Sequence, residues 1–159
     1  MTIYIDMDGV LAKWDCQTSS EGTKAPGYFL WREKEEVIIE LINSLQALGS
    51  HVCILSAVWN EACARDKSTW LDNIFGKDLE RIFVPYGNNK ADYILGGKSV
   101  LIDDYTQNLN AWKDSGNIPV KFYNDINGTK GTYQGAYITK DMNVGEMIAK
   151  IAEAIKSAA

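Results

Sequence analysis

The sequence predicts a three-layer α/β fold, in which a central parallel β-sheet is flanked by helices on both faces. Short apolar runs of strand length alternate along the chain with longer segments of helical periodicity. This alternation is typical of right-handed βαβ units, which bring successive strands into one parallel sheet. The 159 residues fit one domain with a sizeable core, so we predict a single domain over residues 1–159.

The individual elements are assigned from apolar spacing and from residues that start or stop helices. Strands are predicted at residues 3–5, 51–55, 81–85, 99–102 and 120–123. Helices are predicted at residues 33–48, 60–75, 106–115 and from 143 onward, with a helical turn at 91–95 and a turn-rich loop at 124–135. Asn60 and Thr106 are predicted N-caps, Asn143 and Glu146 have the spacing of a capping box, and Gly76 ends the second helix.

The carboxyl end of the first strand carries two acids, Asp6 and Asp8, followed at once by Gly9. Carboxylates this close repel each other unless a cation lies between them. Gly9 allows a sharp turn, and an Asp-x-Asp-Gly turn suits Mg²⁺ because hard cations take oxygen ligands. By itself the motif leaves open an ordinary acidic turn.

Further polar residues lie at or near the ends of other strands, namely Ser56, Lys90, Asp103 and Asp104. In a parallel sheet, ligands bind at the carboxyl ends of the strands, so we expect these side chains to converge there. Two acidic pairs, a hydroxyl and an ammonium form a set suited to phosphoryl transfer. The acids would hold Mg²⁺, and Ser56 and Lys90 would bind the phosphoryl oxygens.

Residues 13–32 interrupt the regular pattern and are predicted to form a small cap insertion over the end of the first strand. A polar run leads into an aromatic cluster beside Arg32. Such loops often determine specificity. The candidate substrate-binding side chains are Trp14, Tyr28, Phe29 and Trp31. The alternative is a surface loop whose aromatic residues simply pack down.

Composition excludes several classes of protein. The net charge of −5 argues against a nucleic-acid or membrane-surface binder, but not against a small anionic substrate, since a local cation can override the overall sign. No run is long enough to span a bilayer, and the chain starts directly with a strand rather than a signal peptide. Three cysteines without metal-binding spacing indicate reduced thiols and a cytoplasmic location. His51 is expected to be structural or solvated.

The order and spacing of these motifs resemble the haloacid dehalogenase superfamily of phosphohydrolases. The matching segments are Asp6-Met7-Asp8-Gly9-Val10, Ile54-Leu55-Ser56, Lys90 and Leu101-Ile102-Asp103-Asp104. They extend from the first strand to about residue 105, and the combination is specific although each segment alone is weak. Residues 6–12 and 124–135 look most like the 5′(3′)-deoxyribonucleotidase group, in its bacterial and phage members.

This resemblance implies a Rossmann-like fold and a role for each site residue. Asp6 would be the nucleophile that forms an aspartyl-phosphate, and Asp8 would protonate the leaving alcohol and later activate water. Mg²⁺ would be held by Asp6, by the backbone carbonyl of Asp8 and by the pair Asp103 and Asp104. The implied activity is a Mg²⁺-dependent phosphomonoesterase acting on a small deoxyribonucleotide.

One departure from the family weakens the choice of nucleotides. The animal deoxyribonucleotidases carry a long helical cap, whereas only residues 13–32 precede the next core helix here. The aromatic side chains that sandwich a base would come from this short segment or from another chain, which leaves room for a homodimer.

Two other activities stay open. One is the same chemistry on a sugar phosphate or on the terminal phosphate of a macromolecule, although the acidic charge disfavours a stable nucleic-acid partner. The other is a catalytically silent module that binds Mg²⁺ or a nucleotide.

Overall fold

The computed structural model describes residues 1–94, 96–124, 126 and 133–158, and within them six strands form one sheet. The strands are β1 (Thr2–Ile5), β2 (His51–Val58), β3 (Glu80–Pro85), β4 (Val100–Asp103), β5 (Ile118–Tyr123) and β6 (Tyr137–Thr139). Their order is β3-β2-β1-β4-β5-β6, and all neighbours are parallel. The predicted parallel α/β architecture is therefore confirmed.

Four α-helices accompany the sheet in the described part of the chain. They are α1 (Glu36–Ala47), α2 (Glu61–Phe75), α3 (Thr106–Asp114) and α4 (Val144–Ser157). Three short 3₁₀ helices lie at Gly22–Lys24, Tyr28–Trp31 and Lys90–Tyr93. Asn60 caps α2 by accepting a hydrogen bond from the Cys63 N–H at 2.9 Å, and Asn143 with Glu146 forms the predicted capping box of α4.

Side chains of alternating strand residues divide the core into two clusters, one on each face of the sheet. Residues such as Ile5 and Ile54 pack with α1, α2 and α4. Their neighbours in sequence, such as Tyr4 and Leu55, pack with α3 on the other face. This period of two is what strands buried on both faces produce, and it establishes the three layers.

The structure differs from the prediction at the start of α3 and at β6. Tyr105, not Thr106, is the N-cap of α3 and makes no side-chain capping bond; the Thr106 hydroxyl instead accepts a hydrogen bond from Lys121 Nζ at 2.8 Å. Strand β6 was missed because it has three residues, too few for a periodic signal. Residues 125 and 127–132, most of the loop predicted at 124–135, lie outside the described residues.

The insertion at 13–32 leaves and rejoins the core at a single point. The Lys13 N–H donates to the Glu33 carbonyl at 2.8 Å, and the Glu35 N–H donates to the Leu11 carbonyl at 2.9 Å. These bonds hold residues 33–35 in an extended connection. Helix α1 therefore begins at Glu36 rather than at residue 33.

The order in which successive strands are added to the sheet reverses between β1 and β4. From β1 it builds β2 and β3 on one side, and it then returns to place β4 next to β1. Ligands of open parallel sheets bind outside the carboxyl ends of the strands at such a switch point. The ends of β1 and β4 are therefore the expected place for a site.

The cysteines of the described residues form no disulfide. Cys53 and Cys63 are buried, and Cys16 is exposed; all three are free thiols. No helix in the described ranges combines the length and apolarity that crossing a bilayer requires.

Candidate active site

Three carboxylates meet above the ends of β1 and β4. Asp6 directly follows β1, and its N–H donates to the Ile102 carbonyl at 2.9 Å. Asp103 is the last residue of β4, and Asp104 follows it. One oxygen from each of Asp6, Asp103 and Asp104 lies within 4.8 Å of the others. The structure thus brings together the two acidic motifs that lie far apart in sequence.

A buried lysine joins two of these acids. Lys90 Nζ lies 2.7 Å from Asp6 Oδ1 and 2.7 Å from Asp103 Oδ2. Three carboxylates and one ammonium carry a formal charge of −2, which one divalent cation would neutralise. All the donors are oxygens, the ligands that Mg²⁺ takes in proteins. The residues present therefore fit a Mg²⁺ ion.

The electrostatics of the cluster agree with that fit. Burial, with the nearby charges of Asp103 and Asp8, raises the pKa of Asp6 to about 7 against the opposing effect of Lys90. Burial, together with the charges of Asp103 and Asp6, raises the pKa of Asp104 well above its usual range. For Lys90, burial is outweighed by Asp103 and Asp6, so its pKa is raised. Without a metal, the acids resist full ionisation, and a bound cation would remove that penalty.

The turn after β1 is fitted closely against Asp104. Gly9 has a φ of +78°, and a Cβ there would collide with the Asp104 carboxylate. Asn124 ties the two together, since its Nδ2 donates to the Gly9 carbonyl at 2.7 Å and to Asp104 Oδ2 at 3.1 Å. Glycine is therefore required for close approach as well as for backbone freedom.

Asp103 is held by donors from three places. Its Oδ1 accepts from the Tyr105 N–H at 2.7 Å, and its Oδ2 accepts from Asn108 Nδ2 at 2.9 Å in addition to Lys90. Lys121 Nζ binds the Asp104 carbonyl at 2.8 Å. Outer contacts of this kind fix the orientation of acidic ligands. Sequence reasoning missed these supporting residues because nothing in their spacing marks them.

A second cluster surrounds Asp8. Lys67 Nζ, from α2, lies 2.5 Å from Asp8 Oδ2, 3.0 Å from Ser56 Oγ and 2.7 Å from the Ala57 carbonyl. The Lys67 side chain is 0% exposed, and that of Asp8 is 23% exposed. Ser56 lies inside β2, because β2 pairs with β3 as far as Val58. The structure thus links Ser56 to Asp8 through a lysine that the sequence analysis did not select.

A signal for Lys67 was present in the sequence. Helix α2 buries Cys63, Lys67, Trp70 and Leu71, which is the i, i+4, i+7, i+8 stripe of an amphipathic helix. A lysine inside such a stripe is unusual, because lysine is almost never fully buried unless it is paired. It predicts a buried acidic partner, although not which one.

Two of the four candidate aromatic residues pack into the protein. Phe29 is 2% exposed, and its ring centre lies 4.3 Å from Lys67 Nζ. Tyr28 packs edge-on against Phe29 at 4.8 Å. Its hydroxyl accepts a hydrogen bond from Arg32 Nη1 at 2.9 Å, and the guanidinium covers its ring. Phe29 therefore forms a wall next to Lys67 and offers no free face to a base.

The other two are accessible. Trp31 is 84% exposed. Trp14 lines a small notch of about 90 Å³ with Gly9 and Asn124, beside the acidic turn. These two rings have the surface that a planar ligand could stack on. Trp14 thereby borders Asn124, which contacts Asp104.

A larger cavity of about 480 Å³ lies elsewhere. It is lined by Ile118 and Tyr137, the first residues of β5 and β6, and by the last turns of α4. This is the amino-terminal edge of the sheet, opposite the acids. No predicted site residue lines it, so volume alone does not identify the reactive centre.

No protein-family model matches the sequence, and no curated protein matches it. Solved structures do match. D,D-heptose 1,7-bisphosphate phosphatase from Burkholderia thailandensis superimposes with a TM-score of 0.67 at 13% identity, over 95% of this chain and 97% of that chain. The chain therefore shares the fold of this phosphatase.

A second solved structure gives the same result. D,D-heptose 1,7-bisphosphate phosphatase from B. bronchiseptica, complexed with magnesium and phosphate, superimposes with a TM-score of 0.61 at 16% identity over 99% of both chains. The Rossmann-like fold predicted from the sequence is thus confirmed, while resemblance to the deoxyribonucleotidase group in particular stays a prediction.

Proposed function

We propose that the protein is a Mg²⁺-dependent phosphomonoesterase of the haloacid dehalogenase type. The observation that carries the proposal is the meeting of Asp6, Asp103 and Asp104 around Lys90, at the switch point of the sheet. Lys90 can offset only one of the three carboxylates. When all three acids are ionised, the cluster has a formal excess of two negative charges, which one divalent cation would neutralise.

Asp6 is the proposed nucleophile. Its carboxylate attacks the phosphorus, the bond to the leaving oxygen breaks, and an aspartyl-phosphate forms. Lys90 offsets the negative charge of Asp6 before the substrate binds. It then stabilises the negative charge of the phosphoryl group during transfer. Mg²⁺, held by Asp6, the Asp8 carbonyl and the pair Asp103 and Asp104, would supply charge neutralisation for the phosphoryl oxygens.

Asp8 and Ser56 complete the proposed chemistry. Asp8 gives a proton to the leaving oxygen and takes one from the water that hydrolyses the aspartyl-phosphate. Ser56 Oγ accepts a hydrogen bond from Lys67, so its own proton is available to a phosphoryl oxygen. This hydroxyl would stabilise charge that develops in the transition state.

A sugar phosphate is the substrate class that the comparisons favour. Both solved neighbours are named as phosphatases of a heptose bisphosphate. The short insertion at 13–32 agrees with this choice, because Phe29 is buried and Tyr28 packs edge-on against it, so the two rings form no aromatic sandwich. A deoxyribonucleotide is the second candidate, and the exposed ring of Trp31 together with the notch beside Trp14 favours it.

A substrate panel tests both levels of the proposal. Purified protein is assayed for phosphate release from p-nitrophenyl phosphate, several sugar phosphates and several deoxynucleoside monophosphates, each with Mg²⁺ and with chelator. We expect Mg²⁺-dependent release, with the highest kcat/KM for a sugar phosphate. Absence of turnover from every ester would reject the phosphatase, and preference for deoxynucleotides by tenfold or more would favour the second candidate.

A further inference from the structure

Lys67 makes contacts that the proposed reaction does not yet explain. Its ammonium is fully buried and has three oxygen partners, Asp8 Oδ2, Ser56 Oγ and the Ala57 carbonyl. A buried ammonium carries a large desolvation cost unless each of its donors is used. Three partners match its three N–H donors.

These partners come from separate parts of the fold. Asp8 belongs to the turn after β1, and Ser56 and Ala57 belong to β2. Phe29, from the insertion, covers the ammonium at 4.3 Å. The Lys67 side chain therefore holds Asp8 and Ser56 at a fixed distance from each other, and the Phe29 ring packs over the ammonium.

The other buried ammonium of the site, that of Lys90, has different partners. Lys90 binds Asp6 and Asp103, whereas Lys67 binds Asp8 and Ser56. Each reactive acid thus has its own buried cation. Because Lys67 holds Asp8 Oδ2, the other oxygen, Oδ1, is the one available for proton transfer.

We propose that Lys67 is a positioning residue, which orients the Asp8 carboxylate for both proton transfers of the reaction. This inference rests on the proposed phosphatase function. In the first half-reaction, Oδ1 gives its proton to the leaving oxygen as the bond to phosphorus breaks. In the second, Oδ1 takes a proton from the attacking water, while the Asp6 carboxylate is released and inorganic phosphate forms. The proton gained in the second step replaces the one lost in the first.

A positioning role for Lys67 and a purely structural role have different kinetic consequences. If Lys67 positions Asp8, its replacement should slow the steps that require proton transfer and should have little effect on the rate of steps that do not. p-Nitrophenolate leaves without needing a proton, so phosphorylation of Asp6 by p-nitrophenyl phosphate does not depend on Asp8. Release of an alkoxide from a sugar phosphate does depend on it, and so does hydrolysis of the aspartyl-phosphate.

The test compares wild-type protein with Lys67→Met under rapid mixing. We expect the burst of p-nitrophenol to stay within about threefold of wild type, and breakdown of the phosphoenzyme to slow by at least about tenfold. Phosphorylated protein should then accumulate and be visible by intact mass. Turnover of a sugar phosphate should fall by at least about tenfold in kcat, with KM changed by less than about threefold.

A matched control perturbs the same helix without touching Asp8. Arg81 Nη1 binds the Ser68 carbonyl and Asp72 Oδ1, both on α2. Arg81→Met should lower the melting temperature and leave the ratio of burst rate to breakdown rate unchanged. If Lys67→Met fails to fold, Lys67→Gln, which keeps polar donors on a shorter side chain, is compared in the same way.

The outcomes distinguish this inference from the function on which it rests. A wild-type protein that releases no phosphate overturns both. An active wild type whose Lys67 variants lose burst and breakdown rates by the same factor overturns the positioning role alone, and so does a variant with unchanged rates. A selective loss of breakdown and of sugar-phosphate turnover supports it.

Discussion

Lys90 Nζ lies 2.7 Å from Asp6 Oδ1, although strands β2 and β3 and helices α1 and α2 separate the two residues in the chain. This contact places a buried cation next to the proposed nucleophile. It also explains why a cluster of three acids can form above β4, because one ammonium offsets part of their repulsion.

Replacement of Lys90 by Met should destabilise the protein when no metal is present. The change leaves Asp6, Asp103 and Asp104 without their buried counter-charge, and loss of one partner of a buried ion pair costs about 3–5 kcal/mol. Thermal unfolding in chelator checks the loss. Mg²⁺ should restore part of the stability. Lys150→Met, which removes an exposed lysine on α4, is the control and should change the melting temperature little.

Replacement of Asp6 by Asn should abolish turnover while the fold remains intact. Asparagine keeps the shape of the side chain but lacks the nucleophilic carboxylate oxygen. Circular dichroism and phosphate release are measured on the same preparation. Asp114→Asn, at the exposed end of α3, should retain wild-type turnover. Wild-type rates in a folded Asp6→Asn variant would remove Asp6 as nucleophile.

Stability without metal should fall as the pH rises from about 4 to about 7. Burial raises the pKa of Asp6 from 3.8 to about 7, so the folded protein binds more protons than the unfolded chain in this window. The stabilising contribution is therefore complete below the unfolded pKa and is lost as the pH passes the folded pKa. Melting temperatures in chelator across this range measure it. An increase in stability over the same window would contradict the expected sign.

Replacement of Asp104 by Asn should weaken Mg²⁺ binding by at least about tenfold and raise the stability of the metal-free protein. The pKa of Asp104 is raised by burial and by Asp103 and Asp6, so loss of its charge relieves repulsion. The hydrogen bond from Asn124 can be kept by the amide oxygen. Calorimetric titration with Mg²⁺ tests the change, and unchanged affinity would place the metal elsewhere.

Replacement of Trp31 by Ala should separate the two substrate classes. Stacking of a base on an aromatic ring contributes about 1–3 kcal/mol, so a deoxynucleotide that uses Trp31 would show a KM roughly tenfold higher, equivalent to about 1.4 kcal/mol. A sugar phosphate has no base and should be unaffected. Since sugar phosphates are the favoured class, we expect the best substrate of the panel to keep its KM. Trp14→Ala is measured in parallel because Trp14 borders the acidic turn.

The sequence was sufficient for the fold class and for the two acidic motifs because both depend on local patterns. Alternating apolar runs indicate strands and helices, and each of the two acidic motifs follows directly on a short apolar run of strand length. The sequence did not reveal β6, because its three residues are too few to show the apolar alternation of a strand. It also placed the N-cap of α3 at Thr106, whose hydroxyl is instead bound by Lys121.

Tertiary structure decided which charges meet and which aromatic rings remain accessible. The sequence shows Lys67 in the apolar stripe of α2, but only the packing of α2 against β2 brings it to Asp8 and Ser56. Likewise Phe29 and Trp31 are two residues apart, and one is buried against Lys67 while the other faces solvent. A buried charge is stable only with its partner, and that partner is supplied by chain crossings that no local pattern encodes.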